Sequence, residues 1–184
     1  AMITGLGIVF TDTGKTERLK SRILKMLIRI LYRRASNHNG LLLFQNPDDA
    51  LDFESAGCLL DPSKVRFTNG SGVDLTFFRS VPLSNAPNFL MISRILGAKG
   101  VGEYANAAIA VKKTHPEARF RLVGFFDKGP DSVPEAELKK WIEGGVEFLG
   151  PSDDVRPHLA ESRIYVFTSY REGTPRSVLD AMAS

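Results

Sequence analysis

Apolar residues recur with two different periods along this chain, and the changes of period mark its elements. Over residues 15–34, Leu19, Ile23, Leu27 and Leu31 fall every four positions, and Leu24, Ile28 and Ile30 widen the apolar arc. That spacing predicts an amphipathic helix. Arg18, Arg22, Lys25, Arg29 and Arg33 form the opposing stripe. The run "LLLFQN" at 41–46 then fits a short buried strand. Asn46 followed by Pro47 supplies a helix cap and a proline at the first helical position, predicting a helix that stops near Gly57. From residue 65 onward strands and helices alternate. Strands are expected at "VRFTN", "NFLMISRI", "RFRLVGFF", "VEFLG" and "IYVFTS", with helices over 99–114, 133–145, 154–162 and 175–184. A glycine-rich turn at 69–74 and a proline-bearing loop at 79–88 interrupt the pattern. This order argues for βαβ units and an α/β fold with a Rossmann-like, doubly wound parallel sheet. The expected organisation is a first domain's tail at 1–57, an interdomain segment at 58–87 and a second domain at 88–184.

Composition narrows the picture without changing it. The chain has 184 residues, 43% of them hydrophobic and 24% charged, which is ordinary for a soluble globular protein. No run approaches the roughly 18 apolar residues of a membrane span, and the first ten residues lack a basic leader and a small-residue cleavage site. Ala1 ahead of Met2 reads as a cloning remnant. The single cysteine, Cys58, rules out an internal disulfide and fits a reducing cytoplasm. His38, His115 and His158 share no ligand spacing, so no metal site is expected. The net charge of +3 is concentrated at 15–34, where eight basic residues face only Glu17. The remainder is slightly acidic.

The usual fingerprints of α/β enzymes fail. Gly14-Lys15-Thr16 ends like a phosphate-binding P-loop, but the first glycine of that motif would stand where Val9 does. No G-x-G-x-x-G follows a predicted strand, and no G-x-S-x-G elbow is present.

Three loops remain, all at the carboxyl ends of predicted strands, where open α/β sheets place ligands. In "SRILGAKG", Arg94 and Lys99 stand five residues apart across a glycine turn and can converge on one diphosphate; a solvated basic loop is the plain alternative. In "VGFFDKG", Gly124 allows close backbone approach and Phe125 can stack on a base. A core phenylalanine pair is the alternative there. In "YREGTPRSVLDAMAS", Thr174 can cap a helix with Pro175 at its first position, leaving the amides of Arg176 and Ser177 to hold a phosphate. Glu172 precedes that helix and Asp180 lies on it, so both carboxylates can face one ligand. Two surface acids near a helix start are the alternative.

On these loops, with "TGLGIVF", "FQNPDD" and "NGSGVD" upstream, the chain resembles a retaining glycosyltransferase of the GT-B group with the E-x7-E motif. More narrowly, it is similar to bacterial enzymes that extend polyprenyl-diphosphate-linked glycans. The resemblance implies that Arg94 and Lys99 hold the donor diphosphate, that Glu172 contacts the donor hexose and that Asp180 holds ribose hydroxyls. Asp180 is one methylene shorter than the usual glutamate. Gly173, Thr174 and Pro175 match the turn that delivers amides to the diphosphate, while Phe125 and the loop Ser152, Asp153, Asp154 fall where the base is expected.

The resemblance also implies sugar transfer from a nucleotide-sugar, by analogy a UDP-sugar, to a glycan or lipid-linked acceptor, with no cofactor, no metal and no nucleic acid partner. It implies a truncated chain holding mainly the donor half-site, inactive or nearly so alone. A non-catalytic sugar-nucleotide-binding module and a GT-B-fold UDP-sugar epimerase remain as alternatives. The basic helix either packs its apolar arc on protein, dimerisation included, or lies on anionic lipid at the inner face of the membrane.

Overall fold

Backbone pairing organises the chain into two parallel sheets. The computed structural model describes residues 1–4, 6, 10, 19–129 and 131–184, with the backbone path alone for residues 19–21. The Gly14-Lys15-Thr16 stretch and the first turn expected of the basic helix lie outside the described residues. Two compact units emerge: Ala1–Gly72 with Glu172–Pro175, and Val73–Arg171 with Arg176–Ser184.

In the first unit, β1 (Met2–Ile3), β2 (Leu42–Phe44) and β3 (Val65–Phe67) pair in parallel in that order. Helix α1 (Leu19–His38) passes the predicted end at residue 34, because nothing breaks it before Asn39-Gly40. It seats itself through Tyr32, edge-on to Phe53 at 5.3 Å, and through buried Ser36, whose hydroxyl donates to the Cys58 carbonyl. The predicted apolar arc is on another side: Ile23, Leu24, Leu27, Ile30 and Leu31 are all exposed, Leu31 to 64%. Helix α2 (Pro47–Ser55) starts as read, with the Asn46 side chain accepting the Asp49 amide at 2.7 Å. It stops at Gly57, left-handed at φ 70°, where the Gly57 and Cys58 amides donate to Glu54 and Phe53. Those two bonds satisfy carbonyls that a helix end otherwise leaves open. Phe44, Phe53, Leu42 and Cys58 form the buried centre of this unit.

The second unit holds β4 (Asn88–Ile92), β5 (Arg119–Val123), β6 (Val146–Gly150) and β7 (Ile164–Tyr165), all parallel, in the order β6-β5-β4-β7. Alternation along the strands feeds two layers. Met91, Phe120, Leu122 and Val146 pack with α3 (Val101–Lys112) and α4 (Glu135–Glu143) through Tyr104, Ala105, Leu138 and Trp141. Leu90 and Val123 face the other way, towards α5 (Arg156–Ala160) and α6 (Arg176–Ala183). Helices on both faces make the sheet doubly wound.

Residues on either side of Gly72 go to different units. Cys58 and Leu59, expected in an interdomain segment, are buried in the first. Residues 73–78 pack in the second, for a local reason. The Asp74 carboxylate accepts the Thr76 amide at 2.8 Å and its hydroxyl at 2.7 Å, folding an Asx turn that drives Phe78 into the layer of Leu90, Val123 and Leu159. Phe78→Ala is expected to cost about 3–5 kcal/mol, read as a lower denaturation midpoint of the second unit with an unchanged m-value.

Candidate functional site

In a doubly wound sheet, ligands collect outside the carboxyl ends of the strands where the winding direction reverses. Here β4, β5 and β6 succeed one another to one side, and β7 is added on the other side of β4. The reversal therefore falls between β4 and β7, and the loops leaving those strands meet there. The loop after β4 carries Arg94 and a single 3-10 turn, Gly97–Lys99, directly before α3. The loop after β7 binds that turn through its carbonyls. Thr168 donates its hydroxyl to Gly100 at 2.8 Å, Ser169 donates its own to Ala98 at 3.3 Å, and the Tyr170 amide donates to Ala98 at 3.0 Å. The approach is close enough to demand glycine: at Gly100, φ 67°, a Cβ would lie 2.1 Å from the Thr168 carbonyl oxygen.

The segment after β5 closes the turn from the other direction. The Ile95 amide donates to Phe125 at 3.0 Å, and the Gly97 amide to the Asp131 carbonyl at 2.9 Å. The Asp131 carboxylate takes the Ala98 amide at 2.6 Å. Arg94, half-exposed, places Nη1 2.8 Å from the Asp127 carboxylate. Gly124 serves close approach, as its sequence position suggests, since a Cβ there would meet the Ser93 carbonyl oxygen at 1.8 Å. Phe125 is exposed at 52%, whereas Phe126 meets Phe148 edge-on at 6.1 Å. Asp127 and Asp131 escaped the sequence reading. Their signal was "DKGPD", two acids four residues apart in the loop after β5.

Helix α6 begins at Arg176, one residue later than read, so Arg176 and Ser177 are its first residues. Asp180 is one turn further on and buried. Its Oδ1 has no hydrogen-bond partner among the described residues. Desolvation holds the Asp180 carboxyl above the usual carboxylate range, and the Arg176 charge partly offsets this. A buried acceptor without a donor is costly in the free protein, and it suits a ligand hydroxyl. Asp154 differs. Its carboxylate receives Nε and Nη2 of Arg156 at 2.9 and 2.8 Å and is held down to about 2. Arg156 in turn lies over the Phe77 ring, 3.7 Å from its centre. Asp153 beside it is exposed.

Glu172, Gly173, Thr174 and Pro175 belong to the first unit. The Glu172 carbonyl accepts from Asn46 Nδ2 at 3.1 Å, and the Thr174 amide donates to Gln45 Oε1 at 3.1 Å. Asn46 thus caps α2 with its oxygen and holds this loop with its nitrogen. Gly173 fits because a Cβ would stand 2.4 Å from Gln45 Oε1.

An open parallel sheet with helices on both faces and its convergent loops at the reversal point defines a Rossmann-like α/β protein. The chain belongs to the glycosyl transferases group 1, whose family profile matches residues 86–184. It is 29% identical over 197 residues to the N,N'-diacetylbacillosaminyl-diphospho-undecaprenol alpha-1,3-N-acetylgalactosaminyltransferase of Campylobacter jejuni, covering 100% of this chain and 49% of the relative. The chain therefore spans about half the length of that curated relative. Among solved structures, TarM superposes with a TM-score of 0.72 at 20% identity, over 100% of this chain and 34% of TarM. The E. coli trehalose-6-phosphate structure bound with UDP-2-fluoro glucose does so with 0.62 at 15% identity, over 78% and 43%. At these identities the superpositions establish the fold, which matches GT-B glycosyltransferases.

Because the native pKa of Asp180 lies above its unfolded value, its protonated form favours folding at low pH, and that contribution fades as pH rises through the native value. Asp180→Asn is accordingly expected to raise the melting temperature at pH 7 and to flatten its dependence on pH. Calorimetry between pH 4 and 8 checks both.

Proposed function

We propose that this chain carries the donor-diphosphate site of a retaining glycosyltransferase with the E-x7-E arrangement. The reaction moves a hexose-type sugar from a nucleotide-sugar, a UDP-sugar in this reading, to a glycan or polyprenyl-diphosphate-linked acceptor. The observation that carries the proposal is the seating of Arg94 and Lys99 on one braced loop at the reversal point of a group 1 glycosyl transferase sheet. Support for the acceptor comes from the Campylobacter relative, whose name specifies a diphospho-undecaprenol substrate. Support for the donor comes from solved relatives that hold UDP or a UDP-sugar.

Cleavage of the sugar–phosphate bond leaves negative charge on the departing diphosphate. Arg94, Lys99 and the amides of Arg176 and Ser177 are the groups assigned to that charge, fixed before the reaction begins. Asp180 accepts from ribose hydroxyls through the oxygen that has no partner among the described residues. Glu172 is assigned to the donor hexose by the same resemblance, with Gly173, Thr174 and Pro175 shaping its loop. Phe125 and Asp153 are assigned to the base. Asp154 acts through Arg156, which its carboxylate already holds. Retention follows if the acceptor hydroxyl attacks from the side the diphosphate leaves, its proton passing to a diphosphate oxygen. A panel of UDP-, GDP- and ADP-sugars in a thermal-shift assay tests the reading. UDP compounds are expected to raise the melting temperature most, and Arg94→Ala or Lys99→Ala to weaken UDP about tenfold or more. No shift with any member of the panel refutes it.

We further infer that the outer side of α1 meets anionic lipid, where a polyprenyl-linked acceptor resides. Ile23, Leu24, Met26, Leu27, Ile30 and Leu31 are exposed together, each by 45% or more. By helical geometry Arg22, Arg29 and Arg33 flank this arc. Apolar burial with a basic flank favours anionic bilayers. Co-sedimentation with anionic vesicles that falls as salt rises, and falls again in Leu27→Asp, is the expected result. Equal recovery with neutral vesicles, or none with either, removes the lipid assignment.

A further inference from the structure

A cation can hold a diphosphate only if its own backbone is held. Lys99 ends a 3-10 turn of three residues, which is too short to support itself. The residue ahead of the turn, Leu96, gives it no side-chain cap. Both leading amides are instead taken by one distant residue. Asp131 accepts Gly97 N–H on its carbonyl at 2.9 Å and Ala98 N–H on its carboxylate at 2.6 Å. The fit is mutual, for a Cβ on Gly97 would stand 2.7 Å from Asp131 Oδ1. Four residues earlier, Asp127 takes one nitrogen of Arg94. Two further backbone links, Leu96 bridged to Ser132 and the Val133 amide donating to Ile95 at 3.4 Å, tie the same segments together.

Resting on the donor-site reading above, we propose that Asp131 and Asp127 are positioning residues for the donor diphosphate: Asp131 sets the backbone of Lys99, and Asp127 sets the guanidinium of Arg94. Two consequences separate this from a plain surface network. Asp131 directs its carboxylate at an amide, as an N-cap does, so it stabilises the turn that presents Lys99. With the Gly97 and Ala98 amides already bonded, this loop offers the ligand side-chain cations rather than a nest of backbone donors. Asp127 engages Nη1 of Arg94, and among the described residues Nε and Nη2 stay open to a phosphate oxygen pair.

Calorimetric titration of the whole chain with UDP and with uridine tests the assignment. Asp131→Ala is expected to weaken UDP about tenfold while leaving uridine within twofold. Asp131→Asn keeps an accepting oxygen and is expected to stay within threefold of the parent for UDP. Gly97→Ala, which pushes the carboxylate aside, is expected to act like Asp131→Ala. The double variant Asp131→Ala with Lys99→Ala is expected to bind UDP no more weakly than Lys99→Ala alone. Asp127→Ala, on the surface and safe for folding, is expected to cost about threefold for UDP, and nothing further in an Arg94→Ala background. Equal losses for UDP and uridine, additive losses in the double variants, or parent-like UDP binding in both Asp131→Ala and Asp127→Ala overturn the positioning role while leaving the donor-site reading intact. A parent chain that binds no UDP overturns both.

Discussion

Every amide and carbonyl of one short turn must find a partner, and in the second unit of this protein local bonds, Lys99 N–H to Leu96 and Gly100 N–H to Gly97, meet only part of that demand. The turn is Gly97–Gly100. Its leading amides go to Asp131, and its carbonyls go to Thr168, Ser169 and Tyr170. Unpaired backbone groups in such a place cost as much as a lost hydrogen bond. The loops after β4, β5 and β7 are therefore held in one arrangement or not at all. Glycine at 97, 100 and 124 is the condition for it, because a side chain at each would overlap the partner loop. The two cations inherit their placement from this backbone constraint rather than from their own preferences.

The same unit shows why a binding site and a stable fold make opposing demands. Arg94 has Asp127, Arg156 has Asp154, and Arg121 has Glu161, so these charges are neutralised where they stand. Asp180 is the exception in kind: a buried carboxylate with one oxygen unpartnered among the described residues. Desolvation without a hydrogen bond destabilises the free protein. In the donor-site reading proposed above, that cost is offset when a ribose hydroxyl donates to Asp180.

Local chemistry carries much of the rest. Asn46 uses its carbonyl oxygen to start α2 and its amide nitrogen to hold the Glu172 backbone, so one side chain fixes a helix and a loop that lie 126 residues from each other in sequence. The side of α1 that touches the first unit's centre is the one bearing Tyr32 and Ser36, although its most apolar stripe lies elsewhere. Hydrophobicity alone would have turned the helix the other way. A stripe left exposed at such density fits the lipid-facing role proposed for it.

What could be read from the chain by itself were features written within a few residues of each other. Strand and helix alternation, the Asn46-Pro47 start, the Gly57 stop and the presence of Arg94 and Lys99 on a loop after a strand all depend on local periodicity and turn chemistry, and they follow from the order of residues. Tertiary structure alone decided which acids face those cations. Asp127 and Asp131 lie 33 residues from their partners at Arg94 and Ala98, and nothing in a local pattern says that these segments touch. It also decided the allegiance of residues 172–175 and the exposure of the α1 arc. The physical reason is the same in each case: propensity fixes how a short piece of backbone bends, whereas which pieces approach to within a hydrogen bond is settled by packing the whole sheet at once.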